Sequence, residues 1–341
     1  MVRRIIDTLE AEDFGPLGLD PLHVIDLGKP GAMARAAEIS SATQAIVLGL
    51  DRKGVLPIID PAPFDVLLTT APHPPRPWTG VEATRWDARL TAIRAIVGAA
   101  PFAATIARRV LRMGESLAFD DALHLESLAY STLLGGAEFR RWRSGRQSAE
   151  RQDGGASPES GAFVEVTRED DVMTIAMARP KARNAICAGM RDALFEALAA
   201  ALDDPSAPRV RLRGQGACFS TGGELAEFGT ADDLARAHAI RSARSGAALL
   251  HRLSKRAEAL LHGACIGSGI EIPAAAARRV GRRDAFFQLP ELRMGLIPGA
   301  GGTVTLPRAI GRHRTASLLF SARRIDAATA RDWGLLTDLV P

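Results

Sequence analysis

The sequence predicts an α/β fold, because short apolar segments that suit buried strands alternate with longer segments of helical periodicity. Two buried strands are expected early in the chain, at 44–50 and 64–70, and a hairpin is expected from 163–166 and 172–177. A glycine turn at 219–225 follows another predicted strand and precedes a predicted helix. This order of strand, turn and helix is typical of α/β proteins.

The N-terminal part of the chain divides into a strand-rich section and a helical section. A short strand is expected at 23–27 and a short helix at 32–40, before the two buried strands. The segment 71–78 contains four prolines, which exclude a helix or a central strand and predict a stiff connector. Over 82–143, apolar residues recur every three or four positions, which predicts a block of packed helices.

A change of composition predicts a domain boundary near the middle of the chain. Residues 144–162 are polar and rich in Gly, Ser and Gln, which is typical of a flexible linker. The sequence therefore predicts an N-terminal region at 1–143 and a core at 163–341. After the hairpin, the core is expected to contain a helix at 188–202, a strand at 210–214 and a helix at 231–256.

The bulk composition excludes several classes of protein. The 341 residues are 47% apolar, which suffices for a full core. The net charge is only +4, arginines form no long run and aromatic residues make up 5%, so a nucleic-acid partner is not expected. Three scattered cysteines predict reduced thiols in a cytoplasmic protein, without a metal site. No apolar run reaches about 18 residues, so no membrane span is predicted. No signal peptide is expected either.

The stretch 263–271 and the segments that follow it carry the chemistry. A glycine turn runs into a helical pattern there, so free backbone N–H groups can point at a ligand oxygen. Glu271 and Glu291 are 20 residues apart, each beside an apolar segment, and a second glycine run follows at 299–302. Each feature alone would indicate only a tight turn or an ordinary surface carboxylate. Together, fixed N–H donors and two carboxylates in an apolar setting are what proton transfer next to a carbonyl requires.

Four motifs in combination resemble the enoyl-CoA hydratase/isomerase (crotonase) superfamily. They are RPKARNA at 179–185, GACFSTGGELAEF at 216–228, HGACIGSGIEI at 262–272 and AFFQLPELRMGLIPGAGGTVTLPRAIG at 285–311. The resemblance covers about residues 162–341. It implies a crotonase-like (ClpP/crotonase) spiral of ββα units for this part of the chain, preceded by an N-terminal α/β extension that ends in the helical block.

The resemblance implies a role for each of five residues. The backbone N–H groups of Gly223 and Ser268 match the two donors that bind the thioester oxygen of an acyl-CoA, where charge develops in the transition state. Glu271 and Glu291 match the catalytic glutamates of the hydratases, of which one takes a proton from water and the other gives one to the α-carbon. Gly299 matches a position whose N–H helps to hold that water.

Two cations are implied as ligands of coenzyme A. Arg183 matches a turn position near the adenosine and phosphates of CoA, and Lys181 is the second candidate. A solvated arginine without a ligand is the alternative for Arg183. No metal and no cofactor other than the CoA of the substrate is implied.

The activity that the resemblance implies is hydration of a 2-enoyl-CoA in fatty acid metabolism. Enoyl-CoA isomerisation, or another enolate reaction that needs one glutamate, remains an alternative. A non-catalytic subunit that binds acyl-CoA or a partner protein is a third interpretation, from a different class. Trimers or hexamers are the habit of the family, so the resemblance also implies a homo-oligomer.

The helices that usually end a crotonase have no counterpart after the GLLTDLVP segment at 334–341. The helical block 82–143 contains an Ala-Pro break and the run ALHLESLAY at 122–130, which are similar to that C-terminal region. We therefore expect a rearranged or circularly permuted crotonase in which 82–143 supplies those helices. A degenerate second crotonase half at 20–143 is a compatible alternative.

Overall fold

The structure, a computed structural model, describes residues 10–18, 20–153 and 161–341. Within these ranges the strands form three sheets, of four, six and three strands. The helices lie between the strands in sequence and pack against the sheets, so the prediction of an α/β fold is confirmed.

The four-stranded sheet belongs to the N-terminal region and is parallel throughout. Its strands follow one another in space as they do in sequence: β1 (Leu22–Asp26), β2 (Ile46–Asp51), β3 (Val66–Thr69) and β4 (Thr79–Gly80). Helix α1 (Ala32–Ala42) joins β1 to β2. Strands β2 and β3 are buried along their whole length, as their apolar composition predicts. The connector 71–78 contains only bends and turns, as its prolines require.

The predicted helical block consists of four helices. They are α2 (Trp86–Ala99), α3 (Pro101–Met113), α4 (Phe119–Leu134) and α5 (Ala137–Asp153). Pro101 opens α3 at the first helical position, where its missing N–H costs nothing. Among the described residues, no single helix is long and apolar enough to cross a membrane; only the pair Ala83–Ala99 and Pro101–Met113, bent by 102°, meets that test jointly.

The predicted linker is wrong over its first ten residues. Residues 144–153 continue α5 as a helix, and 154–160 lie outside the described residues. Most of 144–153 is Arg, Gln, Glu and Ala, which are good helix formers. Because the helix has already begun at Ala137, extending it carries no new nucleation cost, and one glycine does not end it.

The core contains nine further strands and seven further helices among its described residues. The strands are β5 (Val164–Glu169), β6 (Val172–Met177), β7 (Arg209–Gly214), β8 (Ala257–Leu261), β9 (Ala264–Ile266), β10 (Arg278–Arg282), β11 (Phe286–Gln288), β12 (Ile325–Asp326) and β13 (Asp338–Val340). The helices are α6 (Ala188–Asp203), α7 (Leu234–Ala243), α8 (Gly246–Leu253), α9 (Ser268–Glu271), α10 (Gly302–Ile310), α11 (Arg312–Ser321) and α12 (Ala327–Trp333).

The core strands build a large sheet and a small sheet side by side. The large sheet has the order β13-β10-β8-β7-β6-β5 and is parallel except for the predicted hairpin of β5 and β6. The small sheet has the order β12-β11-β9. Strand β8 belongs to the large sheet, and β9, which follows it directly, belongs to the small sheet. In the same way, β10 belongs to the large sheet and β11 to the small sheet. Each pair is followed by a helical turn, which is the ββα spiral expected from the sequence.

The single helix expected at 231–256 is two helices. Arg244 leaves the helical conformation after α7, and Ser245 then caps α8 by accepting a hydrogen bond from the Ala248 N–H at 3.2 Å. Asp233 caps the start of α7 in the same way, through the Ala235 and Arg236 N–H groups. Local caps therefore interrupt an apolar periodicity that is continuous in the sequence.

The N-terminal helices pack directly on the core. Helix α4 lies against α7 and α10, α3 lies against α10 and α11, and α5 lies against the turn Glu291–Met294. Two buried arginines of α11 bind carbonyls of the N-terminal region: Arg312 donates to Phe64 at 2.8 Å, and Arg314 donates to Trp78 at 3.0 Å. One hydrophobic cluster extends from the first sheet into the C-terminal helices.

Candidate active site

A strained turn after β6 fixes the first glycine loop. The side chain of Asn184 is fully buried and donates to the carbonyls of Gln215, Cys218 and Phe219 at 2.8, 3.0 and 3.0 Å. Its oxygen accepts from the Arg179 N–H at 3.0 Å. Asn184 has a φ of 52°, a conformation that asparagine tolerates better than most residues. The turn therefore anchors the loop that follows β7.

Two further contacts continue this anchor toward Gly223. The Ser220 hydroxyl donates to the Asn184 carbonyl at 2.8 Å and accepts from the Gly222 N–H at 3.1 Å. Ile186 then pairs with the loop on both sides of Gly223, since its N–H donates to Gly222 and its carbonyl accepts from Glu224. The backbone around Gly223 is thus held from two directions.

The loops that carry Gly223 and Ser268 touch each other. A Cβ on Gly222, whose φ is 92°, would lie 2.7 Å from the Ile266 carbonyl and 3.7 Å from the Cα of Gly267, so only glycine fits. In the described part of the chain, neither the Gly223 N–H nor the Ser268 N–H donates a hydrogen bond. Both residues line the same cleft. Two backbone donors are therefore free for a ligand oxygen at the predicted positions.

The Glu271 carboxylate is buried and held by the second glycine run. It ends α9, is 2% exposed, and accepts from the Ala300 N–H at 2.7 Å and the Gly302 N–H at 3.0 Å. A Cβ on Gly302 would lie 2.7 Å from the Cγ of Glu271, so this approach requires glycine. Burial raises the pKa of Glu271 to about 7, although the N–H groups favour its charged form.

The Glu291 carboxyl group is also buried, but it does not receive the glycine-run amides that hold Glu271. It is 6% exposed, and its Oε2 atom has no hydrogen-bond partner in the described part of the chain. Burial, and then the charge of Glu271, raise the pKa of Glu291 well above its ordinary value. A Cβ on Gly267 would lie 2.8 Å from Oε1 of Glu291 and 3.8 Å from Oε1 of Glu271. Both carboxyl groups therefore face the glycine that precedes Ser268.

A third buried glutamate, which the sequence analysis did not select, comes from α4. Glu126 is 2% exposed and accepts from the Gly301 N–H at 2.6 Å and from the N–H and hydroxyl of Thr303, both at 2.7 Å. Burial, and then the charge of Glu271, raise its pKa to about 8. The sequence offers one indication of Glu126: it lies on the same helix face as Ala122 and Leu133, which are buried. A carboxylate on a buried face needs a hydrogen-bonding partner.

Tyr130 follows Glu126 by one helical turn and covers Gly299. A Cβ on Gly299 would lie 2.5 Å from a carbon of the Tyr130 ring, so the ring packs directly on this backbone. Burial raises the pKa of the Tyr130 hydroxyl above its ordinary value, and nearby carboxylates act in the same direction. Gly299 and Tyr130 both line the cleft, so the predicted water-positioning residue shares it with Glu271 and Glu291.

These groups share one cleft of about 920 Å³ between the helical block and the core. Its volume suits a ligand of cofactor size. The structure brings five predicted site residues to this cleft: Gly223, Ser268, Glu271, Glu291 and Gly299.

The two predicted CoA ligands lie elsewhere. Lys181 and Arg183 are exposed, and neither lines the cleft. The backbone of Arg183 supports the first glycine loop, because its carbonyl accepts from the Thr221 N–H at 3.1 Å. Contact of their side chains with CoA remains a prediction. Within the described ranges, no group of three His, Cys, Asp or Glu residues is arranged to hold a metal ion.

The protein has an α/β fold whose cleft holds two buried carboxyl groups beside the backbone of Gly223 and Ser268. Residues 167–341 match the family model described as enoyl-CoA hydratase/isomerase, which is half of the chain. The chain belongs to the enoyl-CoA hydratase/isomerase family.

The chain is also similar to individual named proteins. The 2,3-dehydroadipyl-CoA hydratase of Escherichia coli (strain K12) is 31% identical over 176 residues, which are 52% of this chain and 68% of that protein. The enoyl-CoA isomerase/hydratase fer4 of Mycosarcoma maydis is 29% identical over 179 residues, covering 50% of this chain and 65% of that protein. The enoyl-CoA hydratase structure from Thermoplasma volcanium GSS1 aligns with a TM-score of 0.48 at 30% identity, over 53% of this chain and 72% of the other.

Proposed function

We propose that the protein adds water across the double bond of a 2-enoyl-CoA thioester. The convergence of the Glu271 and Glu291 carboxyl groups on Gly267, beside the free amide of Ser268, carries this proposal. Hydration needs a base for the water and an acid for the α-carbon, whereas isomerisation needs one such group. The names of the relatives agree with either activity, and the second buried carboxyl group favours hydration.

The thioester oxygen accepts hydrogen bonds from the N–H groups of Gly223 and Ser268. Negative charge grows on this oxygen as the enolate forms, and fixed amide dipoles stabilise it without reorganisation. The Asn184 side chain and the Ser220 hydroxyl hold the Gly223 loop, and the Ser220 backbone pairs with Ala264 and Ile266 shortly before Ser268, so both donors are held in place for the reaction.

The two glutamates divide the proton transfers. With a pKa of about 7, Glu271 is partly ionised at neutral pH and takes a proton from water as the oxygen bonds to the β-carbon. Glu291, whose pKa is raised further by the charge of Glu271, is protonated and gives its proton to the α-carbon. Water loses one proton and the α-carbon gains one, and transfer from Glu271 back to Glu291 restores the starting state.

The wider setting is part of the same proposal. A CoA thioester substrate suits fatty acid metabolism, and three cysteines without a disulfide suit a cytoplasmic location. Lys181 and Arg183, exposed beside the Gly223 loop, would contact the CoA phosphates from outside the cleft. A homo-oligomer is proposed from the habit of the family, and no cofactor beyond CoA is required.

Substitution of each glutamate tests the activity. Glu271→Gln and Glu291→Gln should each lower the rate of crotonyl-CoA hydration, followed by loss of its absorbance, by about 10²- to 10⁴-fold, the usual contribution of a general acid or base. Glu169→Gln, an exposed residue of β5, is the matched control and should keep the rate. If either active-site variant kept the wild-type rate, or if the wild type isomerised a 3-enoyl-CoA but hydrated nothing, hydration would be excluded.

A further inference from the structure

Arg241 of α7 is a cation in the wall of the cleft whose guanidinium is held in a fixed plane. Its Nη1 donates to the carbonyl and hydroxyl of Ser127 at 3.2 and 2.9 Å and to the hydroxyl of Ser131 at 3.1 Å. Its Cζ lies 4.5 Å from the centre of the Tyr130 ring. One nitrogen and one face of the group are thereby engaged, and the side chain cannot rotate freely.

The remaining edge of this guanidinium is available to a ligand. In the described part of the chain, Nε and Nη2 of Arg241 make no hydrogen bond, and no carboxylate lies within ion-pair distance of the group; the residue lines the cleft. The carboxyl group of nearby Glu126 instead accepts hydrogen bonds from the N–H groups of Gly301 and Thr303. The nearby cation Arg191 pairs with Asp192 at 2.8 Å. Nε and Nη2 form the edge that binds a carboxylate through two parallel hydrogen bonds.

The position of Arg241 identifies which part of a substrate it can meet. The Tyr130 ring contacts both the Arg241 guanidinium and the backbone of Gly299, whose neighbour Ala300 donates its N–H to Glu271. Arg241 therefore lies about one aromatic ring from the loop beside the reacting carbons. The phosphates of CoA are separated from the thioester by the whole pantetheine arm, so they cannot be here while the thioester oxygen is bound at Gly223 and Ser268. An anion at Arg241 must belong to the acyl group.

The surroundings of Arg241 are polar as well. The Ser127 hydroxyl contacts Nδ1 of His238 at 2.9 Å, and the His238 ring lies 6.1 Å from that of His124. Among these groups, Ser127 lines the cleft beside Arg241, so the guanidinium has a polar neighbour in the cleft wall.

We propose that the acyl group of the substrate ends in a carboxylate, which the Nε–Nη2 edge of Arg241 binds. The substrate class is then the CoA thioester of a short unsaturated dicarboxylic acid. This inference rests on the proposed hydration and adds the identity of the acyl group. Arg241 acts as a specificity residue, because it fixes the far end of the chain while the amides of Gly223 and Ser268 fix the thioester.

The test compares two substrates that differ only at the far end of the chain, hex-2-enoyl-CoA and its ω-carboxylated counterpart. The wild type should have a kcat/KM at least about 10-fold higher for the carboxylated thioester. Arg241→Gln should lower that value by about 30-fold or more and change kcat/KM for hex-2-enoyl-CoA by less than about 3-fold. Arg241→Lys, which keeps the charge without the two-pronged edge, should fall between them.

Arg252→Gln is the matched control, because Arg252 also binds α4, through Asp120 at 3.0 Å, but lies outside the cleft. It should leave the preference between the two thioesters unchanged. Equal rates of the wild type on both thioesters would overturn this inference and leave hydration standing. An equal loss on both substrates in Arg241→Gln and Arg241→Lys would also overturn it, since it would show a purely structural contact. Failure of the wild type to hydrate either thioester would overturn the proposed function itself.

Discussion

Glu271 and Glu291 are the same residue type in one cavity, and their neighbours give them different properties. Glu271 receives N–H donors from Ala300 and Gly302, which stabilise its charge against the cost of burial. Glu291 has an oxygen without a hydrogen-bond partner among the described residues and the charge of Glu271 beside it, so it keeps its proton more firmly. Different environments thus separate a base from an acid, as hydration requires.

The pKa of Glu271 predicts the acid side of the pH profile. With burial raising that pKa to about 7, kcat/KM for crotonyl-CoA should fall by about tenfold for each unit of pH below 7, because protonated Glu271 cannot accept a proton from water. Initial rates at low substrate concentration from about pH 5.5 to about pH 9 measure this limb. A rate that stayed constant down to about pH 5.5 would show an ordinary carboxylate and contradict the assignment of Glu271 as the buried base.

The site residues that the sequence predicts lie within short motifs, whereas the one that it does not predict depends on a partner far away in sequence. Glu271, Glu291, Gly223 and Ser268 lie within sequence motifs that indicate little singly but in combination resemble one family. Glu126 binds Gly301, which is 175 residues away in sequence, and no local pattern reports such a contact. Only the three-dimensional structure shows that Glu126 of α4 contacts the backbone at the start of α10.

At the scale of elements, α4 and α9 together hold the backbone that leads into α10. Glu271 of α9 accepts from the N–H groups of Ala300 and Gly302, and Glu126 of α4 accepts from those of Gly301 and Thr303. Alternate amides thus point to two different carboxyl groups. Because one stretch of backbone bridges both glutamates, α4 helps to position Glu271, the proposed catalytic base.

Removing the Glu126 carboxylate should therefore reduce catalysis and stability together. Glu126→Gln places an NH2 group against N–H donors and should lower kcat by about 10- to 100-fold with less than about 3-fold change in KM. Asp121→Asn, on the exposed face of α4, is the control and should change neither constant. Unchanged kcat in Glu126→Gln, with a normal melting temperature, would show that the glycine run positions itself without α4.

The same variant has a pH signature in stability. Glu126 has a pKa of about 8 in the folded protein and an ordinary value of 4.5, so its proton is bound more tightly in the folded state. That stabilisation is complete below about pH 4.5 and is lost as the pH rises through about 8. The free energies of unfolding of the wild type and Glu126→Gln should consequently converge as the pH rises, which denaturant titrations at several pH values would measure.

Periodicity and turn residues predicted most elements but not where all of them end. The hairpin β5–β6, helix α6 and strands β2 and β3 lie at or within a few residues of their predicted positions. The sequence predicts one helix where the structure has α7 and α8. The break depends on the hydrogen bond from the Ala248 N–H to the Ser245 side chain, and apolar spacing does not report such a bond. The linker prediction failed at 144–153, where helix-forming residues prolong α5 in spite of their polarity.

At the scale of the whole molecule, the helical block and the core enclose the cleft jointly. The family match covers 167–341, yet Glu126, Tyr130 and their helix come from the N-terminal region. Whether 82–143 replaces helices that other members carry at the C-terminus remains a prediction. The circular permutation itself remains a prediction, since packing alone does not define the ancestry of a segment.

Removal of the N-terminal region tests its place in the fold. A chain that lacks residues 1–150 should be insoluble and inactive, because α10 and α11 would lose the helices that cover them, and the cleft would lose the wall formed by α4. Solubility after expression and crotonyl-CoA hydration by the soluble fraction are the measurements, with the full chain as the reference. A soluble and active fragment would show that the core completes its own site.

The central claim is that Glu271 and Glu291 act as one unit on adjacent carbons, and the double variant tests it most directly. The kcat/KM for crotonyl-CoA should be about as low in Glu271→Gln/Glu291→Gln as in either single variant, because loss of one group already disables the concerted step. If the two losses simply multiplied, or if one single variant retained substantial activity, the carboxyl groups would act independently, and the account of this site would be contradicted.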